Sequence, residues 1–142
     1  FVIEPTMGIE RVFLALLVDG FNESDGNDGR EKGDIVLKLN SRIAPVQVAI
    51  FPLLSNKDEL IKKSQEVLKT LLGEFRVDYD ASGSIGRRYR RQDEIGTPYC
   101  LTIDFESLKN DDLTVRDRDT MKQERIKISE LKNYLKTKIS NS

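Results

Sequence analysis

Between Pro45 and Phe51 the chain reads Pro-Val-Gln-Val-Ala-Ile-Phe, a nearly continuous apolar and β-branched run that Pro52 closes. Such a run leaves no face for water, so it belongs at the centre of a sheet covered on both sides. Ser55 and Asn56, with Asp58 and Glu59 three residues on, carry overlapping capping-box signatures. They predict a helix with Leu60, Ile61, Val67, Leu68, Leu71 and Leu72 on one stripe and Gly73 at its C′ position. Phe75, Val77 and Tyr79 then alternate with Arg76, Asp78 and Asp80, predicting a strand with one wet face. A Ser82-Gly83-Ser84 turn leads into a basic helix from Ile85 to about Ile95. Tyr99 to Phe105 reads as a third strand with Tyr99, Leu101, Ile103 and Phe105 on one face. Asn110-Asp111-Asp112 turns the chain into a strand over Leu113–Arg118, and Gln123–Ile128 is a further strand. Ser129 caps a last helix with Leu131, Tyr134, Leu135 and Ile139 inward. The order β-α-β-α-β-β-β-α predicts an α/β fold, a mixed sheet with helices on its faces.

Ahead of this module the pattern changes. Phe1 to Gly8 reads as a loop, followed by a helix from Ile9 to about Asp19 in which Ile9, Val12, Phe13, Leu16 and Leu17 recur at helical spacing. Leu14, Ala15 and Val18 fill its other faces, so it seeks burial on all sides. It is expected to dock on the module or on a neighbouring molecule. Residues 22–34 hold three Gly and seven charges with no apolar residue, the mark of a flexible surface loop or linker. The expected division is residues 1–21, a linker over 22–42, and one domain over 43–142.

Composition removes several chemistries. With no His, the chain builds no Ser-His-Asp triad, no Cys-His pair and no His-ligated metal. The lone Cys100 excludes an internal disulfide and a cysteine zinc cluster, and it suits a reducing cytosol. No metal site is expected. The longest apolar stretch, Val12 to Val18, is far short of the ~20 residues that span a bilayer, so no membrane partner is expected. The N-terminus carries neither a basic signal region nor an initiating Met and reads as a cut end, a piece of something larger. With 23 Lys and Arg against 24 Asp and Glu, any nucleic-acid site has to be a local patch.

The densest such patch is Ser84-Ile85-Gly86-Arg87-Arg88-Tyr89-Arg90-Arg91-Gln92-Asp93-Glu94-Ile95-Gly96, with four arginines in five positions. On a helix Arg87, Arg90 and Arg91 share a face while Ile85 and Tyr89 turn toward the core. Arginine forks match phosphates and base edges, and their planes stack on bases. The bland alternative is a solvated face neutralised by pairs such as Arg90–Glu94. Arg116-Asp117-Arg118-Asp119 lies at the end of a predicted strand and by itself favours a salt-bridge ladder. Asp104-Phe105 pairs an acceptor with an aromatic plane, suited to a single-stranded base, although core packing is the simpler reading for Phe105 alone.

Taken together, the motifs resemble a known family. Val2-Ile3-Glu4-Pro5-Thr6 with Gly8-Ile9-Glu10-Arg11 is similar to motif 3 of class II aminoacyl-tRNA synthetases in its glycyl form. Ser84-Ile85-Gly86-Arg87-Arg88-Tyr89, Asp93-Glu94-Ile95-Gly96, Thr102-Ile103-Asp104-Phe105 and Val115-Arg116-Asp117-Arg118-Asp119 resemble the anticodon-binding domain of the dimeric archaeal, eukaryotic and some-bacterial enzyme. The resemblance implies a five-stranded mixed sheet flanked by helices and an anticodon-reading role for Arg87, Arg88, Asp104, Phe105, Arg116 and Arg118. It implies that Arg11 meets the ATP phosphates, that Glu4 pairs with the ammonium of glycine, and that Thr6, where the family usually has Ser, contacts glycine. The implied partners are tRNA(Gly), glycine, and ATP with Mg2+, in a cytoplasmic homodimeric parent. Motifs 1 and 2 are absent, so this chain alone is expected to hold no catalytic residue, no cofactor and no ligase activity. The rival from another class is a non-catalytic accessory or regulatory protein that reuses the anticodon-binding fold.

Overall fold

The computed structural model of the chain describes residues 2–141, so Phe1 of the expected opening loop lies outside the described residues. Helix α1 (Ile9–Gly20) runs into an antiparallel pair, β1 (Phe21–Glu23) and β2 (Ile35–Leu37). The main sheet follows, with β3 (Val48–Pro52), α2 (Asp58–Leu71), β4 (Val77–Tyr79), α3 (Ile85–Ile95) and β5 (Tyr99–Ile103). It is completed by α4 (Phe105–Asn110), β6 (Asp112–Asp117), β7 (Gln123–Lys127) and α5 (Leu131–Ser140). Strand order is β4-β3-β5-β6-β7, with β3 parallel to both β4 and β5, and with β5, β6 and β7 antiparallel in turn. This is the α/β fold with a five-stranded mixed sheet that the sequence predicts.

Every residue of β3 is buried, and the topology explains why. The crossover through α2 moves to one side of β3 and the crossover through α3 returns across it. Two crossovers of the same hand in opposite directions put their helices on opposite faces. Val48 and Ile50 accordingly meet Leu60, Val67 and Leu71 of α2 and Leu131, Leu135 and Ile139 of α5 in the larger core. Ala49 and Phe51 turn the other way, joining Cys100 and the inner side of α3 through Ile85 and Tyr89. Each fully buried leucine of the larger core contributes about 1.5–3 kcal/mol of transfer free energy.

Several local expectations give way to the structure. Helix α2 starts from Lys57, with no side-chain cap from Ser55 or Asn56, although Asp58 and Glu59 do occupy its first turn, where the helix dipole favours them. Helix α3 has its predicted bounds and ends on Gly96 in the left-handed region at φ 85°. A Cβ there would also stand 2.8 Å from the Leu37 carbonyl oxygen, so glycine serves both the turn and the close approach of β2. Strand β5 stops at Ile103 instead of running to Phe105. The Asp104 carboxylate accepts the Ser107 N–H at 2.9 Å while the Ser107 hydroxyl accepts the Asp104 N–H at 3.1 Å, a reciprocal cap that starts α4. Phe105 is therefore the first residue of a helix and 44% exposed. Glu130, not Ser129, is the residue from which α5 begins.

The N-terminal part differs most. Helix α1 buries only Gly20, leaving Ile9, Phe13, Leu14 and Val18 exposed, so it does not lie down on the module. The apolar faces of the main sheet are already taken by α2, α5 and α3. The polar segment expected to be a flexible loop carries β1 and leads into β2, and within it Ser24 and Arg30 are buried. A charge pair supplies the fixing that the missing apolar residues cannot.

Candidate nucleic-acid interface

The face of the sheet under α3 is only half covered. Cross-strand partners share a face, so the pairings Ala49–Cys100–Arg116–Gln123 and Phe51–Thr102–Thr114–Arg125 run as two rows across it. Helix α3 packs over the β3 and β5 ends of these rows, through Ile85 and Tyr89. The β6 and β7 ends are polar, and Gln123 and Arg125 are exposed. Where α3, this polar half-face and the β1–β2 loop meet there is a cleft of about 520 Å³. Ser84, Gly86, Arg87, Tyr89 and Arg90 line it from α3, Gly29, Arg30, Glu31 and Asp34 from the loop, and Arg116, Met121 and Gln123 from β6–β7, with Asp93 at the back.

The floor is a charge triad. Asp93 accepts from Arg116 Nη1 at 3.0 Å and Nη2 at 2.8 Å, and from Arg30 Nε at 3.0 Å. The three side chains are only 3–6% exposed. Burial works against the charge on Arg116, but the Asp93 bonds outweigh it and the guanidinium is held more firmly protonated than usual. Its plane sits 4.7 Å from the centroid of Tyr89, a cation–π contact. Tyr89 is fixed in turn by a 2.6 Å hydrogen bond with Thr102 and by an edge-on contact with Phe51. Among the described residues no buried side-chain polar atom lacks a partner, so this network is complete.

The four arginines of α3 separate into distinct situations. Arg88 is buried and donates to the main-chain carbonyls of Pro52, Ala81, Ser82 and Gly83, clamping the ends of β3 and the turn before α3. Arg91 pairs with Asp80, again tying that turn. Arg90 pairs with Glu31 at 2.8 Å and Asp34 at 3.1 Å, across the cleft and not with Glu94 along the helix. Arg87 is exposed in the first turn, lines the cleft and makes no ion pair among the described residues.

The remaining sequence-predicted residues are scattered. Arg118 is buried and donates to the carbonyls of Leu37, Leu39 and Gly96 while pairing with Asp119, which staples β2 to the end of α3. Burial thus takes Arg88 and Arg118 off the open surface where base contacts were expected. Asp104 and Phe105 sit just beyond the carboxyl end of β5, outside the lining of the cleft. Arg125 grips the Asp104 carboxylate at 2.9 and 3.0 Å and, with the Ser107 cap, holds its pKa at about 2. Glu4, Thr6 and Arg11 stand on the exposed N-terminal segment, and nothing else in the described molecule closes around them. No group of three His, Cys, Asp or Glu among the described residues is placed to hold a metal ion. No helix among the described residues is long and apolar enough to cross a membrane.

Sequence reasoning missed Arg30, Asp93, Glu31 and Asp34. Asp93 is one of two adjacent acidic residues after the arginines of α3, and Arg30 is the only Arg within a stretch of otherwise polar, turn-forming residues. No periodicity marks either.

Comparison with known proteins bears on this geometry. The family described as Anticodon binding domain matches residues 47–138. A glycine--tRNA ligase of Clostridium kluyveri is 51% identical over 141 residues, covering 98% of this chain but 29% of that protein. A glycine--tRNA ligase of Corynebacterium glutamicum is 49% identical over 137 residues, 95% of this chain and 30% of that protein. The chain thus spans under a third of the length of these curated relatives. In three dimensions it is similar to a prolyl-tRNA synthetase from Cryptosporidium parvum, solved in complex with halofuginone and AMPPNP, with a TM-score of 0.70 and 26% identity over 74% of this chain and 23% of that one. The five-stranded sheet from β3 to β7, helices α2, α3 and α4, and all but the last two residues of α5 fall within residues 47–138, and the chain belongs to the anticodon binding domain family.

Proposed function

We propose that the chain is the anticodon-reading part of a glycine--tRNA ligase and that the cleft beside α3 receives the anticodon loop of tRNA(Gly). The single observation that carries this is identity of about half, along nearly the whole chain, with proteins named glycine--tRNA ligase, coinciding with a polar cleft lined by an arginine of α3 that makes no ion pair among the described residues. Glycine anticodons share cytosines at their second and third positions. Cytosine presents an amino donor and a carbonyl acceptor on its pairing edge, the acceptor suiting an arginine fork and the donor a carboxylate. Arg87 is assigned the base or phosphate contact. Arg116, on the floor, is assigned the role of a fixed positive charge under the bases. Phe105 offers an exposed plane for stacking, worth about 1–3 kcal/mol per base, beside the Asp104–Arg125 pair. Arg88 and Arg118 are assigned to holding the walls through main-chain carbonyls.

On the same reading residues 43–142 are the anticodon-binding domain, and residues 1–21 belong with the catalytic domain of the parent. The parent, a cytoplasmic homodimer, attaches glycine to tRNA(Gly) with ATP. Glu4 and Thr6 would hold glycine and Arg11 the ATP phosphates only when the rest of that domain surrounds them. No step through ATP or Mg2+ is built on this chain. The test is direct binding of the chain to tRNA(Gly) and to the same tRNA with both anticodon cytosines replaced, at two salt concentrations. A preference for the cytosine anticodon that survives the higher salt supports the assignment, because phosphate contacts alone are lost equally from both. Equal affinity for the two overturns it.

A further inference from the structure

The loop joining β1 to β2 lies outside residues 47–138, yet it forms one side of the cleft. Residues 22–34 contain no apolar residue, so the hydrophobic effect gives them no reason to settle against the domain. Two arginines draw them in, Arg90 from α3 at the exposed rim and Arg30 from within the loop, and of the two only Arg30 is buried. Arg30 donates through Nε to Asp93 at 3.0 Å, through Nη1 to Asp28 at 2.6 Å and through Nη2 to the Arg118 carbonyl. Asp28 accepts in turn from the Ser24 hydroxyl at 2.8 Å and from the Arg30 N–H at 3.2 Å, so the loop is closed upon its own arginine. Burying a guanidinium carries a large desolvation cost that only well-placed partners offset. A plain linker needs no such anchor, whereas a wall that must keep its place does.

The outer edge of the same loop carries carboxylates. Glu31 and Asp34 both pair with Arg90 and both line the cleft, so this rim brings two carboxylates to the same cleft that Arg87 lines. A carboxylate rim accepts a hydrogen bond from an exocyclic amino group and repels a carbonyl in the same position. It therefore favours cytosine over uracil, the two pyrimidines having nearly the same shape.

We propose that residues 29–34 form the second wall of the RNA cleft, selecting an amino-bearing base, and that Arg30 is the positioning residue that sets this wall against α3 and, through Asp93, holds Arg116 at the floor. The inference rests on the cleft being the anticodon site. It adds to that reading a specificity element lying outside the matched segment.

The experiment uses the 142-residue chain and two labelled RNA hairpins, one with the glycine anticodon and one with uracil in place of both cytosines. The wild-type chain is expected to prefer the cytosine hairpin. Arg30→Ala, with an unchanged far-ultraviolet circular dichroism spectrum, is expected to lower that preference about tenfold, the scale of one base contact. A merely structural role would weaken both hairpins together and leave the ratio alone, and that result overturns the proposal. Should Arg30→Ala fail to fold, amide shifts in the wild-type chain decide. Movement of Gly29 and Glu31 with the cytosine hairpin and not with the uracil one supports the wall, and silence of the loop with either hairpin overturns it. A wild-type chain with no preference at all removes the anticodon reading itself, a failure distinct from a preference that ignores the loop.

Discussion

Asp93→Ala isolates the charge triad beneath the cleft. The substitution removes a carboxylate that accepts three charge-assisted hydrogen bonds, one from Arg30 and two from Arg116. Both guanidiniums remain, with side chains only 3% and 5% exposed, so water cannot take over the lost role. Stranding one buried charge typically costs about 3–5 kcal/mol. Only Arg116 is stranded, because Arg30 keeps its pair with Asp28. The expected loss is therefore about 3–5 kcal/mol, against about 5–15 kcal/mol of total stability for a domain of this kind. Asp93→Asn keeps an acceptor and the shape, and it should lose clearly less. Replacing Arg30, Asp93 and Arg116 together by Met or Leu of similar volume should return most of the stability, since a buried ion cluster is seldom more stable than an apolar one. Urea unfolding followed by circular dichroism measures all three variants. A loss below about 1 kcal/mol for Asp93→Ala would mean that the triad is solvated, and the account of how the β1–β2 loop is held would fail with it.

Three other outcomes are expected. Arg88→Ala frees four main-chain carbonyls, and at about 1.5–3 kcal/mol for a bond to a charged donor it should cost at least ~2 kcal/mol in a urea melt, while the ratio of affinities for the two RNA hairpins stays unchanged. Burial pushes the Cys100 thiol up to about 12, so it should resist thiol reagents in the folded chain and react only as urea unfolds it, with Cys100→Ala costing about 1–2 kcal/mol. Arg125 and the Ser107 cap lower the Asp104 pKa from 3.8 to about 2, so that pair's stability is complete above the unfolded value and is lost as the pH falls from about 4 to 2. Asp104→Asn should flatten that limb in thermal melts across the acid range. The pair is partly exposed, so the change should stay below ~1 kcal/mol.

How far the sequence disclosed all this depended on which force was at work. Where burial decides, the pattern was legible: β3 is covered on both faces as its unbroken apolar run requires, and α3 runs over its predicted residues because Gly96 ends it. Where a polar contact decides, it was not. The Asp104–Ser107 cap cut β5 short against a good strand alternation, and Asp-x-x-Ser is a signal that reads the same in a turn or a strand end. The Arg30–Asp93 contact joins residues 63 apart in sequence, which no local spacing can announce. The α3 arginines were visible as a group, but their four situations depend on carbonyls and carboxylates brought in by β3, β4 and the β1–β2 loop. The exposed apolar surface of α1 is the reverse case, since the pattern asked for burial and the described chain holds nothing to supply it.

The central claim is that α3 presents Arg87 to an anticodon. It is tested most directly by measuring the affinity of wild-type and Arg87→Ala chains for tRNA(Gly) and for the anticodon-substituted tRNA in parallel. The account predicts that Arg87→Ala weakens the cognate complex by about 1–3 kcal/mol, and the substituted complex much less, because that complex has already lost the base contact. Equal weakening of both, with a flatter salt dependence, would reduce Arg87 to a phosphate contact. No change in either would contradict the claim and leave Arg87 a solvated side chain with no part in binding.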